Sequence, residues 1–174
     1  MARKGLIINT PDCVGCLACE VACKQEHDTA VGVGVIRVHR EDPALIEEKL
    51  RLRYNVAYCL HCLNPPCRDA CLAGAIIKRD DGIVLIDNEA CIGCVSCVNA
   101  CPLGMIQFDN RRNIAIKCDL CVTRTDNGLL PACAAACISH CIHFGDIDEM
   151  VRKSPELDLQ LRDIKTAGLI QGRH

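Results

Sequence analysis

Cysteine is the residue that most constrains this chain, because 17 of its 174 residues are cysteines. They fall into four groups of four, with Cys141 left over. The third group reads Cys91-Ile-Gly-Cys94-Val-Ser-Cys97-Val-Asn-Ala-Cys101-Pro102. Its first three thiols can surround one small inorganic cluster from a single loop, and the fourth is expected to serve a second cluster. The spacing therefore predicts a protein built around paired metal clusters.

The other three groups repeat this spacing with changes. They are Cys13, Cys16, Cys19 and Cys23; Cys59, Cys62, Cys67 and Cys71; and Cys118, Cys121, Cys133 and Cys137. Structural zinc sites usually combine two cysteine pairs, whereas two of the four groups, the first and the third, place three cysteines in one loop. Disulfides are rare in the reducing cytoplasm. We therefore predict four [4Fe–4S] clusters, each held by four cysteines, rather than zinc or disulfides.

The composition narrows the function further. The chain has two Tyr, two Phe and no Trp, so clusters rather than aromatic rings are expected to fill much of the interior. The formal net charge is −2, and no basic run suggests binding to nucleic acid. No apolar stretch approaches the roughly 18 residues that span a bilayer, and no secretory leader is recognisable, so the sequence predicts a soluble, cytoplasmic protein without membrane insertion. No nucleotide-binding glycine motif or catalytic histidine–carboxylate spacing is present.

Between the cysteine groups, the apolar pattern predicts short elements of an α+β fold. A helix is expected from Ala18 towards Asp28, one or two helical turns over residues 44–49, and a C-terminal helix after Ser154-Pro155. Strands are expected over residues 32–40, 50–58, 75–78, 83–87, 105–108, 114–116 and 142–144. The Asp81-Gly82 pair between two apolar runs predicts a hairpin.

Several motifs together resemble those of one family. They are Cys59-Leu-His-Cys62-Leu-Asn-Pro-Pro-Cys67, Asp81-Gly82-Ile83-Val84, Cys91-Ile-Gly-Cys94, Lys117-Cys118-Asp-Leu-Cys121, Pro131-Ala-Cys133 and Phe144-Gly145-Asp146. Over residues 10–147 the chain resembles the four-cluster iron–sulfur subunits of the dimethyl sulfoxide reductase type. It is also similar to the small electron-transfer subunits of tungsten aldehyde oxidoreductases and to ferredoxins associated with carbon monoxide dehydrogenase.

The resemblance implies a duplicated bacterial ferredoxin-like fold, in which one two-cluster unit is inserted within another. The outer unit would comprise residues 1–40 and 109–147, the inner unit residues 54–108, and a docking tail residues 148–174. The implied ligand sets are a first outer site of Cys13, Cys16, Cys19 and Cys137; a second outer site of Cys23, Cys118, Cys121 and Cys133; a first inner site of Cys59, Cys62, Cys67 and Cys101; and a second inner site of Cys71, Cys91, Cys94 and Cys97. Cys141 is predicted to be a buried thiol and not a ligand.

By the same resemblance, the protein would be a non-catalytic electron-transfer subunit. Its clusters would relay electrons between a large catalytic subunit with molybdopterin or tungstopterin, the aldehyde oxidoreductase type included, and a further electron carrier or a flavin or NAD subunit. The alternative is a free or self-associating polyferredoxin that serves a hydrogenase or a carbon monoxide dehydrogenase. Leu72 and Ile138 replace prolines that are usual in the family, and His61 could donate a hydrogen bond to a cluster.

Overall fold

The computed structural model describes residues 3–46 and 48–153. Within them the chain forms two-stranded antiparallel sheets joined by short helices, which confirms the α+β class. The strands are β1 (Lys4–Ile8), β2 (Arg37–Arg40), β3 (Ala44–Ile46), β4 (Lys49–Arg51), β5 (Tyr54–Ala57), β6 (Ile76–Lys78), β7 (Val84–Ile86), β8 (Gln107–Asp109), β9 (Ile114–Ile116) and β10 (Ile142–Asp146). The helices are α1 (Ala18–His27), α2 (Pro66–Asp69), α3 (Ser96–Ala100), α4 (Val122–Thr125), α5 (Ala132–Ala135) and α6 (Ile147–Lys153), and a 3-10 turn covers Thr10–Asp12.

The two ends of the cysteine-bearing region meet in one sheet. β1 pairs antiparallel with β10 along the whole length of both strands. Ile7 of β1 packs against Ile147 of α6, so the helix covers one side of this sheet. Gly5 allows this contact, because a Cβ there would lie 2.5 Å from the Ile147 Cδ1. Strand β1 was not predicted from the sequence, although its three apolar residues are buried.

Two hairpins overlap the strands that were predicted in these segments, although β8 begins two residues later than expected. β6 pairs with β7 around Gly82, whose φ of 85° favours glycine, and β8 pairs with β9. The second turn is organised by Asp109, whose buried carboxylate accepts hydrogen bonds from the backbone N–H groups of Arg111 and Arg112 and from the Arg112 guanidinium. These hairpins confirm the predictions that the apolar runs and turn residues made.

The segment between the first and second cysteine groups differs from the prediction. Residues 44–49 were expected to be helical, but Ala44–Ile46 and Lys49–Arg51 form the paired strands β3 and β4, in which Leu45 pairs with Leu50. Both leucines are more than 70% exposed (74% and 73%), so a helix here would have no buried face to stabilise so short a segment. The predicted strand over residues 50–58 is interrupted, because β5 leaves β4 and pairs with β2. The predicted helix after Ser154-Pro155 lies outside the described residues.

The interior consists largely of aliphatic side chains and cysteines. The larger core cluster combines isoleucine, leucine and valine side chains with Cys19, Cys23, Cys133, Cys137 and Cys141. A second core cluster includes Cys67 and Cys97. Many of the thiols predicted as ligands therefore face the interior, where a bound cluster would be shielded from water.

Candidate metal-cluster sites

The four cysteine groups share one backbone feature. In each, the residue just before the second cysteine is in the left-handed region: Gly15 (φ 67°), His61 (φ 47°), Gly93 (φ 69°) and Leu120 (φ 58°). Glycine adopts this conformation without strain, but His61 and Leu120 must be held in it by their surroundings. A left-handed residue curves the loop sharply, which suits two cysteines that bind the same group.

One pocket brings together four cysteines from the second and third groups. They are Cys59, Cys62, Cys67 and Cys101, the implied ligands of the first inner site. Cys67 lies on α2, which begins at Pro66 after a second proline, Pro65. His61 and Lys117 also line this pocket. Burial, followed by the charges of Lys117 and Arg3, holds the pKa of His61 well below its usual value, so its ring is neutral.

A second pocket brings together the remaining cysteines of the same two groups. They are Cys71, Cys91, Cys94 and Cys97, the implied ligands of the second inner site. Cys97 lies on α3, and Gly93 shapes the loop before it. A Cβ on Gly93 would lie 2.6 Å from the Asn113 carbonyl oxygen, so the loop needs glycine at this point. The rest of the lining is alanine, isoleucine and valine.

The outer cysteines converge around α1 and α5, which pack against each other. Cys19 and Cys23 lie on one face of α1, because they are four residues apart. Burial raises the pKa of Cys23 to about 12, and the charges of Cys133 and Cys121 act in the same direction. Burial also raises the pKa of Cys19 to about 11, and here Cys13 and Cys137 contribute. Each α1 cysteine therefore lies near members of its own implied ligand set.

Burial outweighs the nearby positive charge of Lys117 at the Cys67 thiol, and burial also dominates at Cys133. Burial raises the pKa of Cys67 to about 11 and that of Cys133 to about 12, so both thiols are protonated at neutral pH without a metal. All 17 cysteines are free thiols, so no donor is used in a disulfide. Thiolates in sets of four are the ligands of [4Fe–4S] clusters. The donor sets of this chain fit that group.

Comparison with known proteins agrees with this geometry. Residues 50–147 match the profile of the 4Fe-4S dicluster domain. Over 160 residues the sequence is 35% identical to one chain of the anaerobic dimethyl sulfoxide reductase of Escherichia coli (strain K12), a match that covers 88% of this chain and 78% of that protein. This protein belongs to the 4Fe-4S dicluster family.

Two further relatives extend the comparison within the dicluster family. One subunit of the tetrathionate reductase of Salmonella typhimurium (strain LT2) is 38% identical over 84% of this chain and 59% of its own length. The thiosulfate reductase electron transfer subunit PhsB of Salmonella typhi is 37% identical over 79% of this chain and 72% of its own length. These matches confirm the resemblance to iron–sulfur subunits of the dimethyl sulfoxide reductase type and do not favour the polyferredoxin alternative. Among the described residues of this dicluster protein, no helix has the length and apolar character needed to cross a membrane.

The structure of this dicluster protein also shows contacts of His27 and Cys141 that were not predicted from the sequence. His27 Nε2 lies 3.4 Å from Cys121 Sγ and 3.5 Å from the Asp119 carboxylate, a trio close enough to share a metal ion. Because Cys121 belongs to an implied ligand set, we interpret His27 as a hydrogen-bond partner of that ligand. The contact joins residues 94 positions apart, so no local motif signals it. Cys141 is buried as predicted, and its Sγ lies 3.6 Å from that of Cys137.

Proposed function

We propose that this chain holds four [4Fe–4S] clusters and transfers electrons through them without catalysing a reaction itself. The observation that carries the proposal is a reciprocal exchange of cysteines between two pockets. The second group supplies Cys71 to the pocket of the third group, and the third group supplies Cys101 to the pocket of the second. This exchange is the ligand rule of two-cluster ferredoxins. The same rule assigns Cys137 to the first outer site and Cys23 to the second.

The nested arrangement of units is part of this proposal. The outer unit would comprise residues 1–40 and 109–147, and the inner unit residues 54–108. The β1–β10 sheet supports this division, because it joins the two ends of the outer unit while the inner unit lies between them in sequence. Both inner pockets draw all their cysteines from residues 54–108. Residues 148–174 would form a docking tail.

A bound [4Fe–4S] cluster accepts and releases one electron at a time. The chain supplies the thiolates, excludes water and stabilises negative charge on sulfur. Backbone N–H groups donate to ligand sulfurs, from Met105 to Cys101 Sγ and from Leu120 to Cys118 Sγ, both at 3.4 Å. Such donors are part of what sets the potential of a cluster.

The Lys117 side chain lies between one inner and one outer cysteine. It lines the pocket that contains Cys59, and its Nζ donates to the Cys118 carbonyl oxygen. Because Cys118 is assigned to the second outer site and Cys59 to the first inner site, this arrangement supports a contact between these two sites. We infer that an electron crosses between the two pairs at this contact.

We further propose that the electrons pass between a large catalytic subunit and a second carrier. The relatives reported above are subunits of dimethyl sulfoxide, tetrathionate and thiosulfate reductases, which supports a catalytic partner of the same kind. That partner would carry a molybdopterin or tungstopterin. The second carrier would be another electron-transfer protein or a flavin or NAD subunit.

Metal analysis of the anaerobically purified chain tests the cluster count. Four clusters predict about 16 iron and about 16 acid-labile sulfide per chain. Stoichiometric zinc, or half of this iron, would overturn the proposal. Co-expression with the neighbouring genes tests the partner, since a complex with a large pterin-bearing subunit is expected. A fully loaded chain that elutes alone from every such preparation would refute the assignment of a catalytic partner.

A further inference from the structure

A buried histidine in the first inner site has a hydrogen-bond donor without an acceptor. His61 is only 2% exposed and lines the pocket of that site. Its Nδ1 accepts a hydrogen bond of 2.9 Å from the Val84 N–H. Nδ1 therefore carries no proton, and the ring proton lies on Nε2. Nε2 is buried and has no hydrogen-bond partner among the described residues.

A buried cation lines the same pocket. Lys117 is 8% exposed, and its Nζ donates to the carbonyl oxygens of Val84 and Cys118. None of the ion pairs found in residues 3–46 and 48–153 involves Lys117. Val84 therefore holds both groups in place, because its N–H binds His61 and its carbonyl binds Lys117.

The second inner site has neither group. Apart from its four cysteines, its lining consists of alanine, isoleucine and valine side chains. The two inner sites are built from the same two cysteine groups, but only the first has a buried side-chain donor and a buried cation on its wall. This asymmetry should give two otherwise similar clusters different midpoint potentials.

We propose that His61 donates its Nε2–H to a sulfur of the cluster in the first inner site, and that His61 and Lys117 together make this cluster the higher-potential member of the inner pair. The inference rests on the clusters of the proposed function. A cluster with four thiolate ligands becomes more negative when it gains one electron, so a donor and a cation beside it stabilise the reduced form more than the oxidised form. An electron that enters the inner pair is therefore held mainly by the cluster in the first inner site, because that cluster has the higher potential.

Two substitutions separate the roles of the two ring nitrogens. In His61→Asn, the amide oxygen can replace Nδ1 as the acceptor for Val84, but no donor reaches the position of Nε2. Asparagine also tolerates the left-handed backbone at this position, where φ is 47°. In His61→Gln, the longer side chain can place an N–H donor near the position of Nε2. Lys117→Met removes the cation while keeping a long side chain.

Redox titration followed by electron paramagnetic resonance measures the midpoint potential of each cluster. We expect His61→Asn to lower a single midpoint and His61→Gln to recover part of the loss. Lys117→Met should lower the same midpoint and also that of the second outer site, because Lys117 Nζ donates to the Cys118 carbonyl oxygen. His140→Asn is the matched control, because His140 also has positive φ (53°) and lies between two cysteines, but its side chain is exposed. It should leave all four midpoints unchanged.

Iron and sulfide content, measured first, distinguishes failure of this inference from failure of the proposed function. Wild-type protein without four clusters would refute the proposed function. A fully loaded His61→Asn variant with wild-type midpoints would refute only the role of His61. A second measurement does not depend on whether His61→Asn folds. It is electron–nuclear double resonance of reduced protein labelled with ¹⁵N-histidine. We expect a hyperfine coupling between a histidine nitrogen and a cluster. Because His27 also contacts a ligand sulfur, the coupling is measured in His27→Phe as well, where it should remain. The absence of this coupling would overturn the inference.

Discussion

Replacing Gly93 with alanine is expected to destabilise the second inner site. Gly93 has a φ of 69°, and a Cβ there would lie 2.6 Å from the Asn113 carbonyl oxygen. A left-handed alanine costs about 1–2 kcal/mol. Forcing a methyl group against packed neighbours adds about 1–3 kcal/mol. The expected loss in the free energy of unfolding is therefore about 2–5 kcal/mol.

Gly74→Ala is the control that isolates the backbone contribution. Gly74 also has positive φ (65°), but no atom lies within 4 Å of a Cβ built there, so its loss should be only about 1–2 kcal/mol. Guanidinium unfolding of the loaded protein, followed anaerobically by cluster absorbance, measures both. With a slope of roughly 4 kcal/mol per molar, the midpoint should fall by roughly 0.5–1.2 M for Gly93→Ala and roughly 0.2–0.5 M for Gly74→Ala. Equal shifts in the two variants would refute the steric argument.

The remaining predictions concern the thiols. Cys141→Ser should keep all four clusters, whereas Cys94→Ser should lose or convert one. Iron analysis and electron paramagnetic resonance distinguish these results. A cluster missing from Cys141→Ser would contradict the ligand sets. Iron and sulfide uptake by the metal-free protein should weaken as the pH falls. Burial raises the pKa of Cys23 and Cys133 to about 12, so each thiol must release a proton to bind iron, and affinity should rise with pH up to that value. Loading that is independent of pH between about 6 and 9 would argue against this linkage.

Local features of this protein were predictable because they depend on a few neighbouring residues. Cys91, Cys94 and Cys97 line one pocket, as their spacing indicates, and the hairpin around Gly82 follows from a turn signal between two apolar runs. The helix expected over residues 44–49 was a wrong prediction. Leu45 pairs with Leu50 in the β3–β4 hairpin, and both side chains are exposed, so no buried face is present to favour a helix.

The sequence by itself determined the chemistry of the sites, because the number, type and spacing of the cysteines restrict the groups that they can bind. Tertiary structure alone decided which distant residues surround those thiols. The pairing of β1 with β10, the contact of Val84 with His61 and the contact of His27 with Cys121 all join residues far apart in the sequence. Such contacts gain their free energy from surfaces that become buried only when the whole protein folds, and local spacing carries no record of them.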